Sequence, residues 1–240
     1  MTGPDSTSPL SRSAASTAVA EFGWRYLLAN LCTSVAVPSL AAAVRVAATA
    51  TEVCAEHADG HLRIDLRPDR VELALQTASL GNVTQLDTVL AERISRSLEG
   101  RSAVTGGSTG QQSARGVQML EVAIDALDIP AIRPFWKAVL AYRDEPGGGG
   151  PEDAIVDPTG QLPAVWFQQM TEPRPDRNRI HLDITVAHDE AEARVNAALA
   201  AGGRLLTDAY ARSFWVLADA EGNEACVCTW QDRDQSTAAD

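Results

Sequence analysis

The residues able to move a proton cluster in a few short stretches. In NRIHLDITV (178–186), His181 and Asp183 stand two apart. Strand side chains alternate between faces, so these two leave one face while Ile180, Leu182, Ile184 and Val186 take the other. EVAIDA repeats the arrangement, with Glu121, Ala123 and Asp125 opposite Val122, Ile124 and Ala126. Carboxylates and an imidazole meeting in one cavity form an acid/base apparatus, which makes Glu121, His181 and Asp183 the candidate catalytic groups. A solvated outer face gives the same alternation, and for Asp125 and His181 it stands as the alternative. In AVWFQQM, Trp166 and Gln168 share a face, and an indole on a cleft wall suits a planar or conjugated organic ligand. Tyr210 and Arg212, just before FWVLAD, are placed either to cap such a cleft or to serve a loop. Cys226 and Cys228 point the same way but match no common zinc or redox spacing, and small buried apolar residues are the plainer reading. Substrate contacts are expected from Trp166, Gln168, Tyr210, Arg212 and Cys226. Further upstream, His61 is a lone acid/base candidate near Thr77.

These groups need elements to hold them. SLAAAVRVAATATEVCAE (39–56) has helical apolar spacing, with Ser39 as N-cap. HLRIDLRP and DRVELALQTA alternate as strands around a turn at Arg67-Pro68-Asp69-Arg70. TQLDTVLAERISRSLEG reads as a helix opened by Thr84 and Asp87, a capping-box variant that carries no chemistry by itself. Beyond it the pattern restarts: strand VQMLEVAIDAL, helix IPAIRPFWKAVLAY, a GGGG loop at 147–150 and strands DAIVD and AVWFQQM. A second round follows, with RIHLDITVA, helix DEAEARVNAALAAGG, and strands FWVLAD and ACVCTW. Strand-helix-strands occurring twice in about 115 residues is a duplication of supersecondary units, although the copies share little sequence.

The expected organisation is a disordered tail over 1–17 with order beginning near Ala18, a domain over 18–100, a Gly/Ser-rich linker over 101–116, a second domain over 117–232 and a tail over 233–240. At 240 residues with 45% apolar content, two cores are affordable. The net charge of −12 repels phosphates, which argues against nucleic acid and anionic membranes. No apolar run approaches the roughly 20 residues of a spanning helix, and the first residues do not read as a signal peptide. A cytoplasmic location follows as the expectation.

IDALDIPAIRPFWKAVLAY (124–142), NRIHLDITV (178–186) and LADAEGNEACVC (217–228) resemble a glyoxalase-like domain of the vicinal-oxygen-chelate superfamily. The resemblance implies paired βαβββ modules enclosing a cleft. Its metal-bearing members place ligands at positions that fall here on Glu121, Gln168, His181 and Cys226. Gln is a poor ligand and a thiolate beside an amide is an unusual holder of an open metal, so neither metal nor cofactor is expected. GWRY (23–26), ADGHLRIDLRPDRVELALQTASLGNVTQLD (58–87) and the flanking helices resemble the pterin-4a-carbinolamine dehydratases. That family's His-His-Pro falls on Gly60-His61-Leu62 and its Thr-His on Thr77-Ala78. His61 and Thr77 are what remains of its site.

The fold class expected is α+β, with a small sheet and helices in the first half and paired modules in the second. The function expected is a metal-independent lyase, isomerase or cyclase acting by acid/base catalysis on a small organic molecule. A sequestering protein that only binds its ligand, as resistance members of the superfamily do, is the alternative, and pterin dehydration is the third. Partners are a small-molecule substrate and a possible second copy of the chain.

Overall fold

A computed structural model describes residues 8–99, 117–174, 176 and 178–233. The chain divides into two compact units at Met119/Leu120, each with its own buried core. The expected linker over 101–116, residues 1–7 of the first expected tail and 234–240 of the second lie outside the described residues. Among the described residues, no helix is long and apolar enough to cross a membrane.

The first unit starts earlier than composition suggests. Helix α1 (Arg12–Val19) is capped by Ser11, whose Oγ accepts from Ala14 N at 3.2 Å. Its Ala15 and Val19 are fully buried, and Leu10 N donates to Val83 O at 2.8 Å. A Ser/Ala-rich stretch that looks like a tail is therefore a packed helix. A hairpin of β1 (Arg25–Leu27) and β2 (Asn30–Ala36) follows. Its turn residues Leu28 and Ala29 sit at φ of 42° and 58°, a left-handed conformation that L-residues adopt at a cost. Asn30 Nδ2 and Gln76 Nε2 hold the two turn carbonyls, at 2.7 and 2.9 Å.

Helix α2 (Leu40–Cys54) is capped by Ser39 as its sequence predicts. After a 3-10 turn comes a single helical turn, α3 (Ala58–His61), then β3 (Leu62–Leu66), β4 (Arg70–Leu75) and α4 (Gln85–Glu99). The four strands form one antiparallel sheet in the order β1-β2-β4-β3. Val46 of α2 and Leu90 and Ile94 of α4 share the sheet's core with Leu31, Leu73 and Leu75.

The second unit runs β5 (Glu121–Ala126), α5 (Ile129–Leu140), β6 (Arg143–Asp144), β7 (Ile155–Val156) and β8 (Ala164–Gln169). The cycle then repeats as β9 (Leu182–Thr185), α6 (Ala191–Ala200), β10 (Arg204–Thr207), β11 (Phe214–Ala218) and β12 (Glu224–Cys228). Each round is a βαβββ module with its own sheet, β5-β8-β7-β6 and β9-β12-β11-β10. In each, the opening strand lies parallel to the closing one. The duplication expected from element order is thus present, and the α+β class with it.

The two copies share a device that is visible in sequence once aligned, Asp157-x-x-Gly-Gln and Asp219-x-x-Gly-Asn, each in the turn before the module's last strand. Asp157 accepts from the backbone N–H groups of Thr159, Gln161 and Leu162, each at 2.9 Å. Fully buried Asp219 accepts from the N–H groups of Glu221 and Asn223 at 2.9 Å and from Trp136 Nε1 of α5, also at 2.9 Å. In the same turn, the Glu221 carboxylate takes Leu127 N and Asp128 N at 3.0 and 2.7 Å. The second module's turn therefore organises the start of the first module's helix. At Gly203 an added Cβ would lie 2.5 Å from the Phe135 ring and 2.7 Å from Ala198 O, so only glycine fits there.

Replacing Asp219 with Ala leaves four donors, the N–H groups of Glu221 and Asn223, the Asn223 amide and the Trp136 indole, without their acceptor, a loss of roughly 3 kcal/mol. The expected result is a clearly lower urea midpoint for the second unit and an unchanged one for the first, followed by residue-resolved NMR of the full chain. A loss under about 1 kcal/mol would refute the role given to this carboxylate.

Candidate functional site

Register places the second module's polar residues together. Asp183 of β9 lies directly opposite Cys226 of β12, and Cys228 opposite both Thr185 and Phe214 of β11. Leu182, Ile184, Ala225 and Val227 pack into the core, so the alternating residues His181, Asp183, Cys226 and Cys228 take the other face. His181 Nε2 stands 3.2 Å from Asp183 Oδ1, with the two side chains 48% and 60% exposed. One ligand atom from each of His181, Asp183 and Cys226 lies within 4.8 Å of the others. They line a hollow of about 180 Å³ with Phe214, Cys228 and Arg233. Burial, then the Asp183 carboxylate, pushes the Cys226 thiol up to about 12, and burial raises Cys228 as well. Both thiols are protonated at neutral pH. Phe214, Cys228 and Arg233 were not foreseen as site residues, although the alternation of FWVLAD and ACVCTW carries the signal for the first two.

The other candidates fall elsewhere. Glu121 pairs with Ala164, Ala123 with Trp166 and Asp125 with Gln168 across β5 and β8. Glu121, Asp125, Trp166 and Gln168 thus share a face, as alternation predicts, but it is the first module's face. Among the described residues no hydrogen bond or ion pair joins Glu121 to His181, and their strands β5 and β9 belong to separate sheets. Instead, the charge of Glu121 acts on Glu145, whose carboxyl is raised first by burial, then by Glu121 and Asp153. Tyr210 stacks on Phe214 with ring centroids 4.9 Å apart. Arg212 is committed to Asp232 at 2.8 Å and does not line the hollow.

In the first unit, His61 Nδ1 lies 2.7 Å from Asp87 Oδ1. Asp87 is fully buried and also takes Thr77 Oγ1 at 2.9 Å, Thr84 N at 2.7 Å and Thr84 Oγ1 at 3.0 Å. A carboxylate so placed fixes the proton on His61 Nδ1. Asp87 therefore does more than start a helix, which corrects the reading of Thr84 and Asp87 as a cap alone. The rings of His57 and His61 meet edge to face at 6.0 Å, a neighbour the sequence pattern did not single out.

Residues 121–228 match the family described as glyoxalase-like domain, and residues 8–97 match pterin 4 alpha carbinolamine dehydratase. The chain joins a pterin-4a-carbinolamine dehydratase domain to a glyoxalase-like domain. Among curated proteins no match was found. Similar solved structures include a glyoxalase/bleomycin resistance protein/dioxygenase family enzyme from Burkholderia phytofirmans PsJN, 18% identical over 45% of this chain and 95% of that one, with a TM-score of 0.35. Fosfomycin resistance protein FosX from Mesorhizobium loti is 10% identical over 46% of this chain and 90% of its own, with a TM-score of 0.37. A transcriptional coactivator/pterin dehydratase from Brucella melitensis is 24% identical over 41% and 100%, with a TM-score of 0.33. At these scores the likenesses carry no functional argument.

The four positions that the resemblance assigns to metal ligands are Glu121, Gln168, His181 and Cys226. The structure assembles only the last two in the hollow, with Asp183 as a third donor, and the thiol among them has to lose a proton beside a carboxylate. The residues do not fit that four-donor pattern. Purified protein is expected to carry no stoichiometric transition metal. About one equivalent of Zn, Fe or Mn, lost on His181→Ala, would overturn this.

The thiols also set a pH dependence. Burial raises Cys32 and Cys54 to about 11, and Cys226 stands higher still. Since the thiolate is the reactive form, a raised pKa means slow reaction below it. The folded protein should react slowly with a disulfide reagent at about pH 8, with all four thiols released on unfolding. A fast native thiol at that pH would contradict the burial argument.

Proposed function

We propose that the glyoxalase-like domain binds a small organic molecule in the hollow at His181 and acts on it by proton transfer, as a metal-independent lyase, isomerase or cyclase. The observation that carries this is the His181–Asp183 pair, 3.2 Å apart, beside protonated Cys226. Asp183 orients the imidazole and balances the charge it gains on taking a proton, which leaves the other ring nitrogen to serve as acid or base. Neither step requires Glu121.

A second reading, sequestration without turnover, is favoured by one observation. His181 and Asp183 are about half exposed, whereas a tuned general base is usually more desolvated. Pterin dehydration is supported less well. The dehydratase domain has Gly60 and Ala78 where the family has histidines, and its remaining His61 is engaged with Asp87.

Deuterium exchange separates these readings. Ligands found by NMR screening of carbonyl and carboxylic compounds would be followed in heavy water for loss of an acidic C–H signal. A lyase or isomerase exchanges that hydrogen, and a sequestering protein binds without exchange. His181→Ala should slow exchange at least about 100-fold with binding little changed, as expected for a positioned acid or base. Glu121→Gln and His61→Ala should leave exchange within about threefold, since neither residue touches the hollow. Exchange that survives His181→Ala would sink the proposal.

A further inference from the structure

A second hollow of about 380 Å³ adjoins the first and shares Phe214 and Arg233 with it. Its wall adds Tyr210, whose ring stacks on Phe214 within 15° of parallel and stays 62% exposed. Phe214 N donates to Tyr210 O at 3.1 Å and Ser213 Oγ to Gln231 O at 2.8 Å, which fixes the stack at the entry to β11. On the inner side Phe214 stands in register with Cys228, and Cys226 lies two residues away on the same strand face. Both thiols are buried and raised, and a protonated cysteine behaves as a small apolar group. Ring and thiols thus make an apolar floor, with His181 and Asp183 at its edge. The charges around it are already matched. Asp232 takes two bonds from Arg212, at 3.1 and 2.8 Å. Arg233 donates to Thr229 O at 2.7 Å and to Ser213 O at 3.3 Å, and also bonds the Cys228 sulfur.

We propose that the two hollows take one ligand, a neutral aromatic ketone, with its ring along Phe214 and Tyr210 and its carbonyl end toward His181. This rests on the reading of the inner hollow as the small-molecule site, and adds the class of molecule it takes. Around the hollows Arg212 and Arg233 balance Asp183 and Asp232, so a charged ligand would bring a charge with no counterpart onto an apolar floor. An anion is opposed further by the chain's net charge of −12. A ring conjugated to a carbonyl is flat, which suits a wall of stacked aromatic side chains. The carbonyl also makes the neighbouring C–H acidic. Transfer of that proton to the His181 imidazole leaves its electron pair in the enolate, and return of a proton to the same carbon restores the ketone, with nothing else consumed.

NMR titration of the full chain with 2-acetonaphthone tests the assignment, with 2-naphthoate and 2-naphthylmethylammonium as charged molecules carrying the same ring. The ketone should bind about tenfold or more tightly than either ion, and should shift the amide signals of Phe214, Cys226 and Cys228. Phe214→Leu and Tyr210→Leu should each weaken it by roughly threefold to tenfold, while Trp166→Leu, on the first module's face, should leave it unchanged. Melting curves of each variant establish that it is folded. Ketone binding without exchange of its methyl hydrogens in heavy water upholds the ligand class and counts against proton transfer at His181. No ketone binding, or equal binding of ketone and ions, overturns the proposal and leaves proton transfer to its test on other ligands. Binding lost on Trp166→Leu but kept in the Phe214 and Tyr210 variants also overturns it, and moves the ligand to the first module.

Discussion

The buried carboxylate of Asp219 is the constraint on which the second domain's site depends. Fully buried, its charge must be met by donors, and the structure supplies backbone N–H groups, the Asn223 amide and the Trp136 indole. Those donors fix the β11–β12 turn, and the turn fixes the register that sets Phe214 against Cys228 and, one strand further, Cys226 against Asp183. A slip of one residue would send the whole polar set to the core side. The hollow's chemistry is thus downstream of a turn that contributes nothing to its lining.

The dehydratase domain uses the same logic with a different result. Asp87 is also buried and also met by several donors, but one of them is the imidazole that chemistry would need. The network closes on itself: Thr77, Thr84 and His61 all turn toward the carboxylate. Such a network holds the start of α4 to the end of β4 and to α3. Its value lies in a specified local structure, since a half-satisfied version would cost more than an apolar replacement.

Periodicity revealed most of the elements: α2, α4, α5 and α6 and strands β3 and β4 follow a regular apolar pattern, whereas β11 and β12 stand out as short apolar runs, β12 being buried on both faces. The elements it missed lack that contrast. The β1–β2 turn uses Leu28 and Ala29 where glycine or asparagine would signal a hairpin. Strand β10 leaves both Leu205 and Leu206 about half exposed, so no alternation marks it. Helix α1 is short and Ser/Ala-rich, and only its Ser11 cap distinguishes it from a tail. For the site, alternation correctly gave the faces of His181, Asp183, Trp166 and Gln168. How one sheet lies against another is a long-range matter that alternation does not encode, and the pairing of Glu121 with His181 rests on the internal repeat and the resemblance to paired modules.

Gly203 gives the duplication a direction. The absent side chain in the second module is what admits the Phe135 ring of the first, and the Glu221 carboxylate reaches across in the same sense to the β5–α5 junction. Each half has therefore given up the ability to seal its own surface. A single module freed from its sibling would expose a phenylalanine and an indole that evolved under cover, and two identical copies would collide at position 203 unless both kept glycine. The two modules, alike in topology, are thus unlike in the contacts they give and receive, and one could not be exchanged for the other.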